Sequence, residues 1–267
     1  MSVARELVYG RQPVREALRG RREVLELWVT ERALAAEPWL QESTRPRPQV
    51  KADGAIEESA GTRDHQGVLA FCEPYRYGDA LALARGGGPG GGHGGSAGGA
   101  HGGSPRESSG GGQDGERPLI VVLDQVTDPH NLGAVCRSAE GAGATCVVIP
   151  KDGAVHVTPA VCKTSAGAVE HIPVAIVTNI ARYLEEIKGP DLWVWAADQE
   201  RGSAPWQADL AGGAALVLGA EGKGLRPLVR RSCDGAIAIP LAGKIDSLNV
   251  SVAAGILLFE ARRQRSA

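Results

Sequence analysis

The chain has 267 residues, 43% of them hydrophobic, enough for one or two domains with a real core. A formal net charge of −2 excludes a strongly basic protein, although a local patch can still bind a nucleic acid. Five scattered cysteines without a C-x-x-C pair argue against zinc and disulfide frameworks, and with neither an apolar h-region nor a run of membrane-spanning length the expectation is a reduced, cytosolic protein.

In chain order, residues 12–20 read as a short amphipathic helix closed by Gly20, and residues 24–30 as a strand. Residues 38–43 open another helix and residues 66–74 alternate like a last strand, so residues 1–78 form a small α/β unit. Its first stretch sets Arg5, Arg11, Arg15, Arg19, Arg21 and Arg22 against only Glu6 and Glu16, which is either a solvated helix face or a patch for RNA. Residues 85–115 are dominated by glycine and serine and cannot bury enough apolar area to fold. Residues 79–117 are therefore expected to be a flexible tether, and His93 and His101 within it are not read as metal ligands.

From residue 118 onward strands and helices alternate. Residues 118–126 are an apolar, β-branched run of the kind found in buried parallel strands. They lead into a helix with Asp128 as N-cap, Pro129 at its first position and an apolar stripe of Leu132, Val135, Cys136 and Ala139. Strands follow at 145–150, at the end of 165–177, and at 192–198, 215–219 and 235–240, with helices at 184–188, 225–232 and 247–265. The alternation gives an α/β fold with a mostly parallel sheet and helices on both faces, in which ligands sit at the carboxyl ends of the strands.

Three loops at those ends carry residues that a plain core would not select. The first holds Asn131, with Arg137 six residues on beside the apolar stripe, where a guanidinium needs a partner or a route to water. The second is "LVLGAEGKGLRP", residues 216–227. Lys223 is followed by Gly224 rather than Ser or Thr, Pro227 stands where a third dinucleotide glycine belongs, and Glu221 would repel a phosphate. Its glycines alone ask for no more than a tight turn. In the third, "IPLAGKIDSLNVSVAAGILL", Ser247 is a natural N-cap for the last helix, and Asn249 falls in the first turn with an amide to satisfy. Asn249 either ties the loop down or belongs to a site.

Residues 123–144, 216–225 and 239–261 resemble, in this order, the three motifs of the SpoU (TrmH-type) branch of the SPOUT methyltransferases. "YGRQPVREAL", "DHQGVLA" and residues 165–188 resemble the subgroup that methylates a guanosine ribose in the peptidyl-transferase loop of 23S rRNA. The resemblance implies a C-terminal domain, 118–267, with a trefoil knot, and an L30e-like RNA-binding fold for residues 1–78. It implies S-adenosylmethionine held by Leu218, Gly219, Ala220, Ile239, Pro240, Leu248 and Asn249, with no metal. Catalytic positions carry over to Asn131, Arg137, Glu221, Ser247 and Asn249. Arg137 is expected to stabilise the developing 2′-alkoxide and an adjacent phosphate, with Asn131 and Asn249 orienting it and Glu221 offsetting its charge. The acceptor makes the substrate RNA and not DNA. A homodimer through the knot is implied, with Arg137 serving its own site or the partner's. RNA affinity is expected from Arg226, Arg230, Arg231, Arg262, Arg263 and Arg265. Two other readings remain: the same chemistry on another RNA such as tRNA, and a non-catalytic RNA-binding assembly factor, which would have no use for Asn131, Arg137, Glu221 and Asn249 together.

Overall fold

A computed structural model describes residues 4–87 and 117–266; most of the expected tether, with His93 and His101, lies outside the described residues. The first unit runs β1 (Glu6–Tyr9), α1 (Arg11–Arg19), β2 (Val24–Val29), α2 (Glu31–Ala36), α3 (Pro38–Glu42), β3 (Pro48–Val50), α4 (Asp53–Ala60) and β4 (Val68–Cys72). Its sheet order is β1-β4-β2-β3, with β4 antiparallel to β1 and β2, and β3 parallel to β2. Residues 80–84, assigned by composition to the tether, instead form helix α5 (Ala80–Ala84), capped by the Asp79 carboxylate. Its run of Ala and Leu supplies the apolar area that the glycine-rich segment lacks, and Leu83 is 2% exposed.

The second unit continues with β5 (Leu119–Asp124), α6 (Pro129–Gly141), β6 (Cys146–Pro150), α7 (Pro159–Thr164), β7 (Val174–Val177), α8 (Ile180–Ile187), β8 (Leu192–Ala197), β9 (Gly213–Gly219), α9 (Pro227–Arg231), β10 (Gly235–Ile237) and α10 (Val250–Arg265). Six strands lie in the order β10-β8-β9-β5-β6-β7, and every pairing is parallel. Residues of β5 alternate between two cores. Leu119, Val121 and Leu123 pack with Leu132 of α6 and Leu257 of α10, while Ile120 and Val122 pack with Leu83 of α5, Leu184 of α8 and Val229 of α9. Helices on both faces explain the unbroken apolar run, and each buried Leu, Ile or Val stabilises the sheet by about 1.5–3 kcal/mol. At its far end α10 is clasped by Arg265, whose guanidinium donates to the carbonyls of Leu210, Arg117, Pro118 and Gly212.

The two units are docked, not loosely tethered. One core runs from Val8, Val14 and Ala17 into Val169, Ile172 and Val174. Tyr75 Oη donates to the carbonyl of Val169 at 3.1 Å, Tyr77 Oη accepts from the N–H of Val157 at 3.0 Å, and Lys163 Nζ donates to the carbonyl of Asp64 at 2.8 Å. Glycine lets the backbones meet: a Cβ added to Gly20 would lie 2.6 Å from Glu170 Cβ, and one added to Gly167 would lie 2.6 Å from Glu16 Cβ.

Cys72, Cys136, Cys146 and Cys162 act as small apolar side chains, and burial pushes each thiol up to about 12. An unfolded thiol ionises near pH ~8.5, so the folded pKa is the raised one. The stability these residues contribute is complete below the unfolded value and is lost as pH rises toward 12. The urea midpoint should therefore fall steadily above about pH 9, and cysteine-to-alanine or -serine variants should flatten that fall.

Candidate active site

Strand β9 ends at Gly219, where the chain turns back on itself. The N–H of Gly224 donates to the carbonyl of Ala220 at 2.9 Å, and Gly222 and Gly224 take φ of +72° and +63°. A Cβ on Gly219 would lie 2.2 Å from the carbonyl carbon of Gly224, so glycine is required there by the loop's own close approach. The loop is pinned from below. Asp124 closes β5 at 0% exposure and accepts from the Arg226 N–H at 2.9 Å and from Arg226 Nε at 2.8 Å. This pair went unread in the sequence, where its one signal is an acid at the end of an apolar run.

Glu221 rises from that loop into a closed set of hydrogen bonds. Its Oε1 accepts from Asn131 Nδ2 at 3.2 Å, from Asn249 Nδ2 at 2.5 Å and from the N–H of Val250 at 3.4 Å. Asn249 Nδ2 also donates to Asn131 Oδ1 at 2.9 Å. Three residues from three separate segments, the first turn of α6, the loop after β9 and the start of α10, thus meet at the carboxyl ends of the strands. Asp128 does cap α6, accepting from the N–H of His130 at 2.9 Å, and this sets Asn131 in the first turn.

The cap of α10 differs from expectation. Asn249, not Ser247, precedes the helix, with its Oδ1 accepting from the N–H groups of Ser251 at 2.9 Å and Val252 at 3.4 Å. A cap must stand one residue outside the helix for its side chain to reach those N–H groups. Ser247 lies too far upstream; it is exposed and joins none of the bonds above. Asn249→Asp keeps the capping oxygen but sets a second carboxylate against Glu221. Amide exchange at residues 220–225 is expected to quicken in this variant at pH 8 while α10 stays protected. Asn249→Ala should loosen both, at about 1 kcal/mol for the cap alone.

Arg137 stands apart. It is exposed on α6 and, among the described residues, has neither a hydrogen bond nor an ion pair. Glu221 therefore does not offset its charge within this chain, because both amides of the neighbouring loops already hold that carboxylate. Six residues along a helix place Arg137 about 9 Å from Asn131 and about a third of a turn around the axis. It borders the face where α6 meets α10, with Gly255 of α10 opposite Ser138 and Gly141 opposite Phe259.

Of the other expected contact residues, Leu218 is buried, Gly219, Ala220, Ile239 and Leu248 are half-buried, and Pro240 is exposed. Residues 238–248 have no helix or strand, and the N–H groups of Ile239 and Leu248 find no partner among the described residues. Several arginines expected to face RNA are engaged instead. Arg22 is buried against Glu170, Arg226 holds Asp124, Arg230 lies 3.2 Å from Asp198, and Arg263 pairs with Glu260 at 2.8 Å. Among the described residues no group of His, Cys, Asp or Glu is arranged to hold a metal ion, and no helix is long and apolar enough to cross a membrane.

The chain is similar to known proteins in sequence and in fold. The model of the SpoU rRNA Methylase family matches residues 118–259, and that of the RNA 2'-O ribose methyltransferase substrate-binding domain matches residues 7–78. The 23S rRNA (guanosine-2'-O-)-methyltransferase RlmB of Pseudomonas syringae pv. tomato is 53% identical over 150 residues, which are 56% of this chain and 60% of that protein. The matched part thus spans less than two thirds of that relative's length. The putative TrmH family tRNA/rRNA methyltransferase YacO of Bacillus subtilis is 36% identical across 100% of this chain and 98% of its own. Among solved structures, the SpoU methyltransferase AviRb of Streptomyces viridochromogenes, in complex with the cofactor AdoMet, has a TM-score of 0.75 at 24% identity, covering 98% of this chain and 91% of its own. An RNA 2'-O ribose methyltransferase has a TM-score of 0.74 at 27% identity, covering 99% and 90%.

Proposed function

Because the chain belongs to the SpoU rRNA methylase family, we propose that it transfers the methyl group of S-adenosylmethionine to a ribose 2′-hydroxyl of RNA, a guanosine in the peptidyl-transferase loop of 23S rRNA. The observation that carries this reading is the meeting of Asn131, Glu221 and Asn249 above the end of β9, with the N–H groups of Ile239 and Leu248 left without a partner among the described residues. Apolar side chains at Leu218, Ile239 and Leu248 with available backbone groups suit an adenosine, which binds by shape and a few directed hydrogen bonds. Gly219, Ala220, Ile239, Pro240 and Leu248 would hold the cofactor, and the proposed domains are 1–78 for RNA and 118–267 for catalysis, the latter with the knot.

When bound, the cofactor supplies a methyl group made electrophilic by its sulfonium. The chain's own residues position and stabilise. Asn131, Glu221 and Asn249 fix the loop after β9 to the starts of α6 and α10, so the walls of the site hold still. Arg137 offers a guanidinium, which is a hydrogen-bond donor and not an acceptor. Its unpaired guanidinium is suited to the developing 2′-alkoxide and a neighbouring phosphate. Ser247 is exposed, which supports a role toward substrate over one in the fold.

A homodimer completes the proposal. Val252, Ile256 and Phe259 form a stripe along α10, 50%, 41% and 53% exposed, and Arg137 borders that face. Covering the stripe with a second copy would bring Arg137 toward the partner's site. A cytoplasmic location suits an RNA substrate.

The test is calorimetric titration with S-adenosylmethionine, followed by ribose-methylation mapping of 23S rRNA in a deletion strain. The expected results are saturable cofactor binding and loss of one 2′-O-methyl group in the peptidyl-transferase loop. An unchanged rRNA map with a lost tRNA modification would move the target, and absence of cofactor binding would remove the reaction altogether.

A further inference from the structure

The strongest polar feature outside the proposed site lies where the two units meet. Arg22, between α1 and β2, is 7% exposed, and Glu170, between α7 and β7, is 2% exposed. Arg22 Nε donates to Glu170 Oε2 at 3.0 Å, and its Nη2 pairs with Glu170 Oε1, a bidentate contact between the units. Arg22 Nη1 reaches Glu6 Oε2 at 3.0 Å, Nη2 lies 3.6 Å from Cys162 Sγ, and the guanidinium sits 5.4 Å from the centre of the Tyr75 ring. Glu6 Oε2 in turn accepts from the N–H of Tyr75 at 2.9 Å. The guanidinium is therefore held by four groups drawn from both sides of the junction.

A buried ion pair contributes little net stability compared with well-packed apolar residues of the same volume. What it adds is direction: a planar fork on a carboxylate accepts one relative orientation, whereas apolar surfaces can slide. Around it the contacts are weaker and more exposed. Glu16 Oε2 meets His171 Nε2 at 2.8 Å with the His side chain 35% exposed, and Arg21 Nη2 donates to the carbonyl of His171 at 2.8 Å. The directional Arg22–Glu170 contact is thus more deeply buried than these polar contacts.

We propose that Arg22 and Glu170 are positioning residues, a latch that fixes the unit of residues 1–78 at one orientation over the catalytic unit, so that RNA engaged by the first is presented to Asn131, Glu221 and Asn249 at a set distance. The proposal rests on the reading of residues 7–78 as the RNA-holding part.

The test uses full-length Arg22→Met, Glu170→Leu and the double variant Arg22→Met/Glu170→Leu. Each single change strands a buried charge and is expected to lower the melting temperature. The double change removes both charges and is expected to melt near the wild type. It should still bind S-adenosylmethionine normally, show a larger radius of gyration in X-ray scattering, and raise KM for an rRNA fragment at least about tenfold with little change in kcat, as when two linked binding modules lose register. A purely structural pair would behave otherwise: restored melting would come with wild-type KM and an unchanged scattering curve, and that outcome overturns the proposal. Should the wild type methylate no RNA, the functional reading fails, and scattering alone decides the latch.

Discussion

Arg137→Ala is expected to lower methyl transfer by about a hundred- to a thousandfold while leaving S-adenosylmethionine affinity unchanged. The residue makes no hydrogen bond or ion pair among the described residues, so its loss removes no internal contact and the melting temperature should hold. Under the proposed mechanism, what disappears is a positive charge that stabilises the developing negative charge. Single-turnover rates with saturating RNA and cofactor give the chemical step directly, and full activity in the variant would remove Arg137 from the mechanism. If the chain pairs as proposed, mixing Arg137→Ala with a variant unable to bind cofactor tests which subunit's site the guanidinium serves. Recovered activity in the mixture means that the guanidinium crosses to the partner's site, and no recovery means that it serves its own.

The second large effect concerns stability. Arg226→Met should cost about 3 kcal/mol, because it leaves the Asp124 carboxylate buried with one backbone N–H as its partner. The reverse change is milder. In Asp124→Asn the guanidinium, 44% exposed, can turn to water, and about 1 kcal/mol is expected. Urea unfolding of both variants measures this asymmetry; equal losses would contradict a pair governed by the buried acid. Arg226→Met should also weaken cofactor binding, since the same bonds anchor the loop that begins at Gly219.

These two cases also mark how far the sequence can be read. Apolar runs covered on both faces were plain: β5 and β6 fall where residues 118–126 and 145–150 place them, and Asp128 and Pro129 start α6. Short pieces were not. β1 and β3 have four and three residues and depend on pairing with β4 and β2, which no local pattern declares. Strand β10 stops at Ile237, short of residue 240, where its pairing with β8 ends opposite Ala197. Within the site, resemblance picked out Asn131, Glu221 and Asn249, which do meet, but charge alone suggested for Glu221 a partner that it does not have within this chain. Its amide donors lie 90 and 28 residues away, and only the folded chain sets them closer than Arg137. The docking of the two units was invisible for the same reason, since Arg22 and Glu170 are separated by 148 residues.

Helix α10 is tied at both ends. Asn249 joins its start to Glu221, and Arg265 grips four carbonyls at its finish, some 16 residues or about 24 Å apart. In mechanical terms it is a beam with both ends fixed, which can neither slide nor tilt when something enters beside it. Adjustment is left to residues 239–248 that lead into it, which form neither helix nor strand. That strip can reshape around different occupants while the beam keeps the walls parallel, so rigidity and adaptability are separated along one short length of chain.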